Sequence, residues 1–188
     1  MRRSALLLAL LVAACAHGGP QPFVPDYAVL APGALGFGVL DPDVPAVNYA
    51  AWAFADPSRT RGNPAAGARA AACMDYIAGE IYTAPRWANI DPLTKEQLLH
   101  GRTEVRQVLG IPFNAPSQVV ATSLANASGA LAAGDQRAAL AALSNPAFPN
   151  PSATLARLAN LPYLQQANVG TLNAANELFR PDEGSVND

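Results

Sequence analysis

The chain has 188 residues, 51% hydrophobic but only 7% aromatic and 14% charged, with a formal net charge of −2. That length fits one domain able to bury roughly 70% of its unfolded surface, so neither a metal nor a disulfide is required for folding. Removing the two leader arginines, Arg2 and Arg3, leaves about −4, which excludes the basic footprint of a nucleic-acid binder. Alanine supplies much of the apolar count; it favours helix but buries little per residue, so the expected core is thin and closely spaced.

Residues 1–14 carry an export signal. Arg2 and Arg3 form a positive end, Leu6 to Val12 is an almost wholly apolar run too short to span a bilayer, and Ala13-Ala14 precede Cys15. Val12-Ala13-Ala14-Cys15 resembles the lipobox of bacterial lipoproteins, with valine where that class prefers leucine. The resemblance implies a diacylglyceryl group on the Cys15 thiol, cleavage before it, and acylation of the new amine, which together exceed the two signals needed for stable anchoring. It covers only the first fifteen or so residues. Ala16 stands where an aspartate often retains lipoproteins at the inner membrane, so the resemblance implies an outer-membrane lipoprotein facing the periplasm. The implied partner is the lipid bilayer, through acylated Cys15.

Residues 15–26 read as a lipidated tether, broken by Gly and Pro. Residues 27–180 read as a single helical domain, and 181–188 as a loose acidic tail. Within the domain, 27–40 is apolar but interrupted by Pro32, Gly33, Gly36 and Gly38, and reads as an extended arm over the helices. Its glycine spacing is not that of a dinucleotide-binding loop. A first helix over 41–56 takes Asp43 as N-cap and ends at Asp56-Pro57. The turn after it holds Arg59 and Arg61, the densest positive charge of the mature chain and a candidate anion site.

Residues 65–84 give the strongest helix of the mature chain. Ala66, Ala70, Cys73, Met74, Ile77, Ile81 and Ala84 share one stripe, with Asp75 on the other side and Arg69 and Glu80 near its edge. Cys73 has no partner cysteine in the mature chain and reads as a buried small hydrophobe. Tyr82 and Trp87, around the break at Pro85, are candidates for lining a groove.

Residues 93–110 form a helix with Thr94 as N-cap of a capping box, Leu98, Arg102, Val105 and Leu109 inward, and Gly110 as its stop. Glu96, His100 and Glu104 lie at i, i+4 and i+8 on the opposite face, but two turns separate the glutamates by about 12 Å, so no metal site is expected. A helix over 116–134 stops at Gly134 and restarts at Asp135 to make a hairpin. The proline-rich run 144–151 leads into a short helix with Leu155, Leu158 and Leu161 inward. A final helix over 163–179 is expected to bend near Gly170, with Leu164, Ala167, Leu172, Ala175 and Phe179 as contacts.

The fold expected is therefore all-α: an irregular bundle of six or seven short helices with an extended N-terminal arm. The leading function is a non-enzymatic scaffold, adaptor or binding module in the cell envelope, with an envelope protein as partner and no cofactor. One alternative is a periplasmic enzyme acting on wall or glycan substrate. Its carboxylates would be Asp75, Glu80 and Glu104, although Asp75 and Glu80 are about 140° apart around their helix. The other alternative is a carrier of a small apolar ligand.

Overall fold

The computed structural model describes residues 25–179. The expected export signal, Cys15, most of the expected tether and the expected acidic tail lie outside them. Among the described residues there are seven α-helices and no strand.

An arm over 25–40 runs without regular structure, then through turns and bends, and packs Ala28 and Leu35 into the core. Helix α1 (Asp43–Ala55) follows, and Asp56 ends it and opens a short 3-10 turn at Pro57–Arg59. Helix α2 (Pro64–Thr83) begins where Asn63 accepts the Ala66 N–H, with Pro64 in its first turn. A second 3-10 turn at Pro85–Trp87 leads to α3 (Pro92–Leu109), capped by the Asp91 side chain and closed by left-handed Gly110. Helices α4 (Ser117–Ala132) and α5 (Gln136–Ala142) form the expected hairpin, with Asp135 capping α5. Helix α6 (Pro151–Leu158) is capped by Asn150, and α7 (Gln165–Leu178) closes the described chain.

The element order matches the sequence pattern; several local assignments do not. Asp43 is the first residue of α1, not its cap, and its side chain is buried. Thr94 lies in the third position of α3, because Asp91-Pro92 is the better start: the aspartate accepts the Leu93 N–H and the proline needs no donor. The stripe of α2 widens into burial on every side from Ala70 to Gly79, since α1, α3, α4 and α6 all pack on it. Asp75 is therefore inside the molecule rather than on an outer face. Leu172 and Phe179 are exposed, because α7 buries Ala167, Gly170, Thr171 and Ala174 instead.

That choice follows from close approach. A Cβ on Gly170 would stand 2.8 Å from the Gln97 carbonyl, and one on Gly101 would stand 2.9 Å from the Ala167 Cα. The seam between α3 and α7 is thus built from small residues on both helices, and Leu172 of α7 is left exposed. The described core runs from Ala28 to Ala174; its largest fully buried members include Phe148, Met74, Ile77, Leu98, Leu124 and Leu158.

Candidate functional site

Buried polar clusters and open depressions among the described residues hold the groups that could carry chemistry. The first cluster joins α2 to α3. Arg106 forks onto Asp75 through Nη2 at 2.6 Å and Nε at 2.8 Å, with both side chains nearly inaccessible. Its remaining donors reach the Phe113 and Ala115 carbonyls and the Ser117 hydroxyl. A bidentate pair with every neighbouring acceptor satisfied is a structural lock between α2, α3 and the loop before α4. Sequence patterning placed Arg102 inward and passed over Arg106. The signal lay in Asp75 itself, a carboxylate in an otherwise apolar helix that needs a cation opposite it.

The second cluster joins the start of α1 to the end of α2. Asp43 accepts the Tyr76 hydroxyl at 2.5 Å and Trp87 Nε1 at 3.2 Å, and Arg86 bridges Asp43 and Asp41. Burial and the bond to Asp43 push the Tyr76 phenol up, while the Arg86 guanidinium holds the Asp41 carboxyl down. Half-buried Glu80 lies close enough to feel Asp43: desolvation raises its pKa first, repulsion by Asp43 and Asp41 adds to it, and Arg86 opposes it. Trp87 is buried as the hydrogen-bond donor of this cluster, with the Arg86 guanidinium 5.0 Å above its ring, rather than forming a groove wall. Tyr82 is half-buried at the same end of α2.

Asp75, Glu80 and Glu104 serve separate contacts and are not assembled into one site. Asp75 holds Arg106, Glu80 borders the Asp43 cluster, and Glu104 accepts the Ala167 N–H at 3.0 Å in the first turn of α7. Among the described residues no group of three metal-ligating side chains comes together, the Glu96, His100 and Glu104 row included. Cys73 is fully buried, and desolvation raises its thiol pKa well above the usual range, which disfavours the nucleophilic thiolate.

Arg59 and Arg61 are both exposed. Arg59 donates to the Trp52 carbonyl at 2.6 Å and lies 5.6 Å over its ring. Of the depressions, one of about 480 Å³ is lined by Pro64, Leu131, Leu140, Leu155 and Ala159 among others, where α4, α5 and α6 meet the start of α2. The other, about 290 Å³, lies between the start of α3 and the end of α7. There Glu177 accepts both the Asp91 N–H and the Thr94 hydroxyl, and Asn173 donates to Gln97. These polar contacts tie α7 to α3; Asn173, unusual within a helix, was expected to hydrogen-bond to a neighbouring element, whereas the role of Glu177 was not legible from spacing.

No family model, curated protein or solved structure matches this chain.

Proposed function

We propose that the chain is a lipid-anchored protein of the bacterial cell envelope whose helical domain serves as a scaffold or adaptor for an envelope protein, not as an enzyme. The observation that carries the reading is Val12-Ala13-Ala14-Cys15 behind a positive end and a short apolar run. Ala16 favours the outer membrane, with the domain facing the periplasm. No helix among the described residues is long and apolar enough to cross a membrane, so attachment through Cys15 leaves the folded domain on one side. The non-enzymatic part of the reading is supported by how the reactive groups are used: Asp75, Asp43 and Glu104 hold helices together, and the Cys73 thiol is buried.

A carrier of a small apolar ligand is the second reading, favoured by the apolar-lined depression of about 480 Å³. Mass spectrometry of the native N-terminal peptide tests the main one. A peptide beginning at Cys15 and bearing the mass of three acyl chains is expected; an unmodified terminus at Ala16 or beyond would reject the anchor. Binding of a fluorescent fatty acid, lost on Leu140→Asp, would move the domain's role to the carrier reading.

A further inference from the structure

We infer that the domain lies against an anionic bilayer through one face, where Trp52, Val44, Arg59 and Arg61 contact the lipid headgroups. Only the supply of a nearby membrane rests on the proposed anchor; the face itself is read from its own side chains.

The chain has two tryptophans, and their treatment differs. Trp87 is buried with its N–H on Asp43, whereas Trp52 is 45% exposed. Val44, Asn48 and Trp52 recur every fourth residue and form the exposed stripe of α1. The arm just before this helix leaves Val39 and Leu40 exposed, Leu40 at 83%. Leaving such side chains in water costs hydrophobic free energy that an apolar partner would recover.

Arginines interleave with the rings. The Arg69 guanidinium sits 5.5 Å from the Tyr49 ring and 5.8 Å from that of Phe37, and Tyr49 stands 5.4 Å from Trp52, which Arg59 covers. Arg59 uses one donor on the Trp52 carbonyl, and a guanidinium has five, so others can meet phosphate oxygens. Asp56 is the acidic group beside Arg59 and Arg61; its carboxyl is held low mainly by the Ser58 N–H and hydroxyl. Exposed Asp41, between Leu40 and Val44, is paired with Arg86, so Arg59, Arg61 and Arg69 outnumber Asp56 and the Trp52 end of the face is positive on a chain that is negative overall. Tryptophan, with its apolar body and polar N–H, settles at headgroup depth, and arginine beside it complements anionic lipid.

The tether permits this orientation. Tyr27 crosses α2 at Gly79, and Arg69 lies ten residues earlier on the same helix, about 15 Å by helix rise. The stretch from Cys15 to Pro25 reaches at most roughly 35 Å when extended, more than that offset. Anchoring then holds the face at high local concentration, so a weak surface affinity is enough.

The test uses a chain beginning at Ala16, which keeps the whole described core, after its circular dichroism is matched to the full chain. It is floated with phosphatidylglycerol-containing vesicles and with phosphatidylcholine alone. Binding to the anionic vesicles is expected, with a blue shift of tryptophan emission that disappears in Trp52→Phe and with loss of binding at high salt. Arg59→Glu and Arg61→Glu should each weaken binding roughly fivefold or more. Val29→Asp with Phe113→Asp, which changes exposed apolar groups elsewhere, should leave it unaltered. No binding, or binding lost only in the Val29/Phe113 variant, would overturn the inference; so would displacement by soluble dextran sulfate with no blue shift, since the partner would then be a polyanion and not a bilayer. If the Ala16 chain does not fold, the full anchored protein in vesicles gives the answer: brominated acyl chains should quench Trp52, and unchanged emission would reject the contact. Because the Ala16 chain carries no lipid, these outcomes do not depend on whether Cys15 is acylated.

Discussion

Arg106 and Asp75 show what one buried pair costs and contributes. Taking both charges out of water is expensive, and the pair stands because the fork is bidentate and because the Phe113 and Ala115 carbonyls and Ser117 absorb the other donors. Arg106→Met alone leaves Asp75 buried and uncompensated, and should destabilise the domain by about 3–5 kcal/mol. At this chain length that lowers the melting temperature by roughly 6–20 °C. Combining it with Asp75→Leu should recover part of the loss, a coupling of about 1–3 kcal/mol measurable by a double-mutant cycle in urea. Additive losses would mean that Arg106 acts through its carbonyl partners alone. Glu80 gives a pH signature of the opposite kind. Its pKa is raised in the folded state, so the proton it retains stabilises the fold at low pH, and that stability is lost as pH rises through the folded value. Glu80→Gln removes the neutral-pH penalty. It should raise the melting temperature at pH 7 by a few degrees at most, since solvent screens this half-exposed side chain to below about 1 kcal/mol. The gain should fade as pH falls through the raised folded value and be gone below 4.5, the ordinary glutamate value. A variant less stable than the parent at pH 7 would show that ionised Glu80 has a favourable partner.

At the scale of elements, helix positions were legible because their punctuation is local. Asn63-Pro64, Asp135 and Asn150-Pro151 each place a capping oxygen at a helix start, Asp91-Pro92 does so three residues before the expected cap Thr94, and Gly110 and Gly134 take the left-handed conformation after α3 and α4. Which face each helix buries was legible only where large side chains decide it, as with Leu98, Val105 and Leu109 on α3. It was legible only in part on α7: Leu164 and Ala167 are buried and Ala175 packs on the core as expected, but Leu172 and Phe179 are exposed. Backbone proximity chose the small face, because the gain from packing two helices along their whole contact exceeds that of burying two isolated side chains. The same reasoning explains why Arg106 was missed: its role depends on a carboxylate 31 positions away in sequence. Gly170→Ala tests the seam. Its new methyl would meet backbone atoms of Gln97 and Leu98 at 2.8 to 2.9 Å, which no rotamer change relieves. The expected cost is about 1–3 kcal/mol from overpacking, despite the better helix propensity of alanine. Gly129→Ala, where a Cβ would find open space on α4, should be neutral or stabilising by chemical denaturation. If both variants behave alike, the close approach of α3 and α7 does not limit stability.

For the whole molecule, the proposed anchor and the fold occupy different parts of the chain. The stretch proposed as an export signal, with Cys15, occupies the first fifteen residues, while the described core begins at Ala28 and ends at Ala174. The arm binds this core through specific contacts: Asp26 accepts the Ser117 N–H, Arg102 donates to the Asp26 carbonyl at 2.7 Å, and Val29 exchanges two hydrogen bonds with the Gln118 amide. Those contacts fasten the arm to α3 and α4 ahead of the first helix. Cys15→Ser removes only the thiol proposed to accept lipid. Were the anchor part of the fold, this substitution would lower stability as well as change location; with the two separated, it should change location alone. In cell fractionation the variant should leave the mature membrane-bound pool, whether released or held as uncleaved precursor. Expressed from Ala16, the same domain should melt within about 0.5 kcal/mol of the parent, the ordinary spread for changes remote from the core. A membrane pool undiminished by Cys15→Ser would reject lipid on that residue as the attachment, and a large stability loss in the Ala16 chain would show that the first residues belong to the fold.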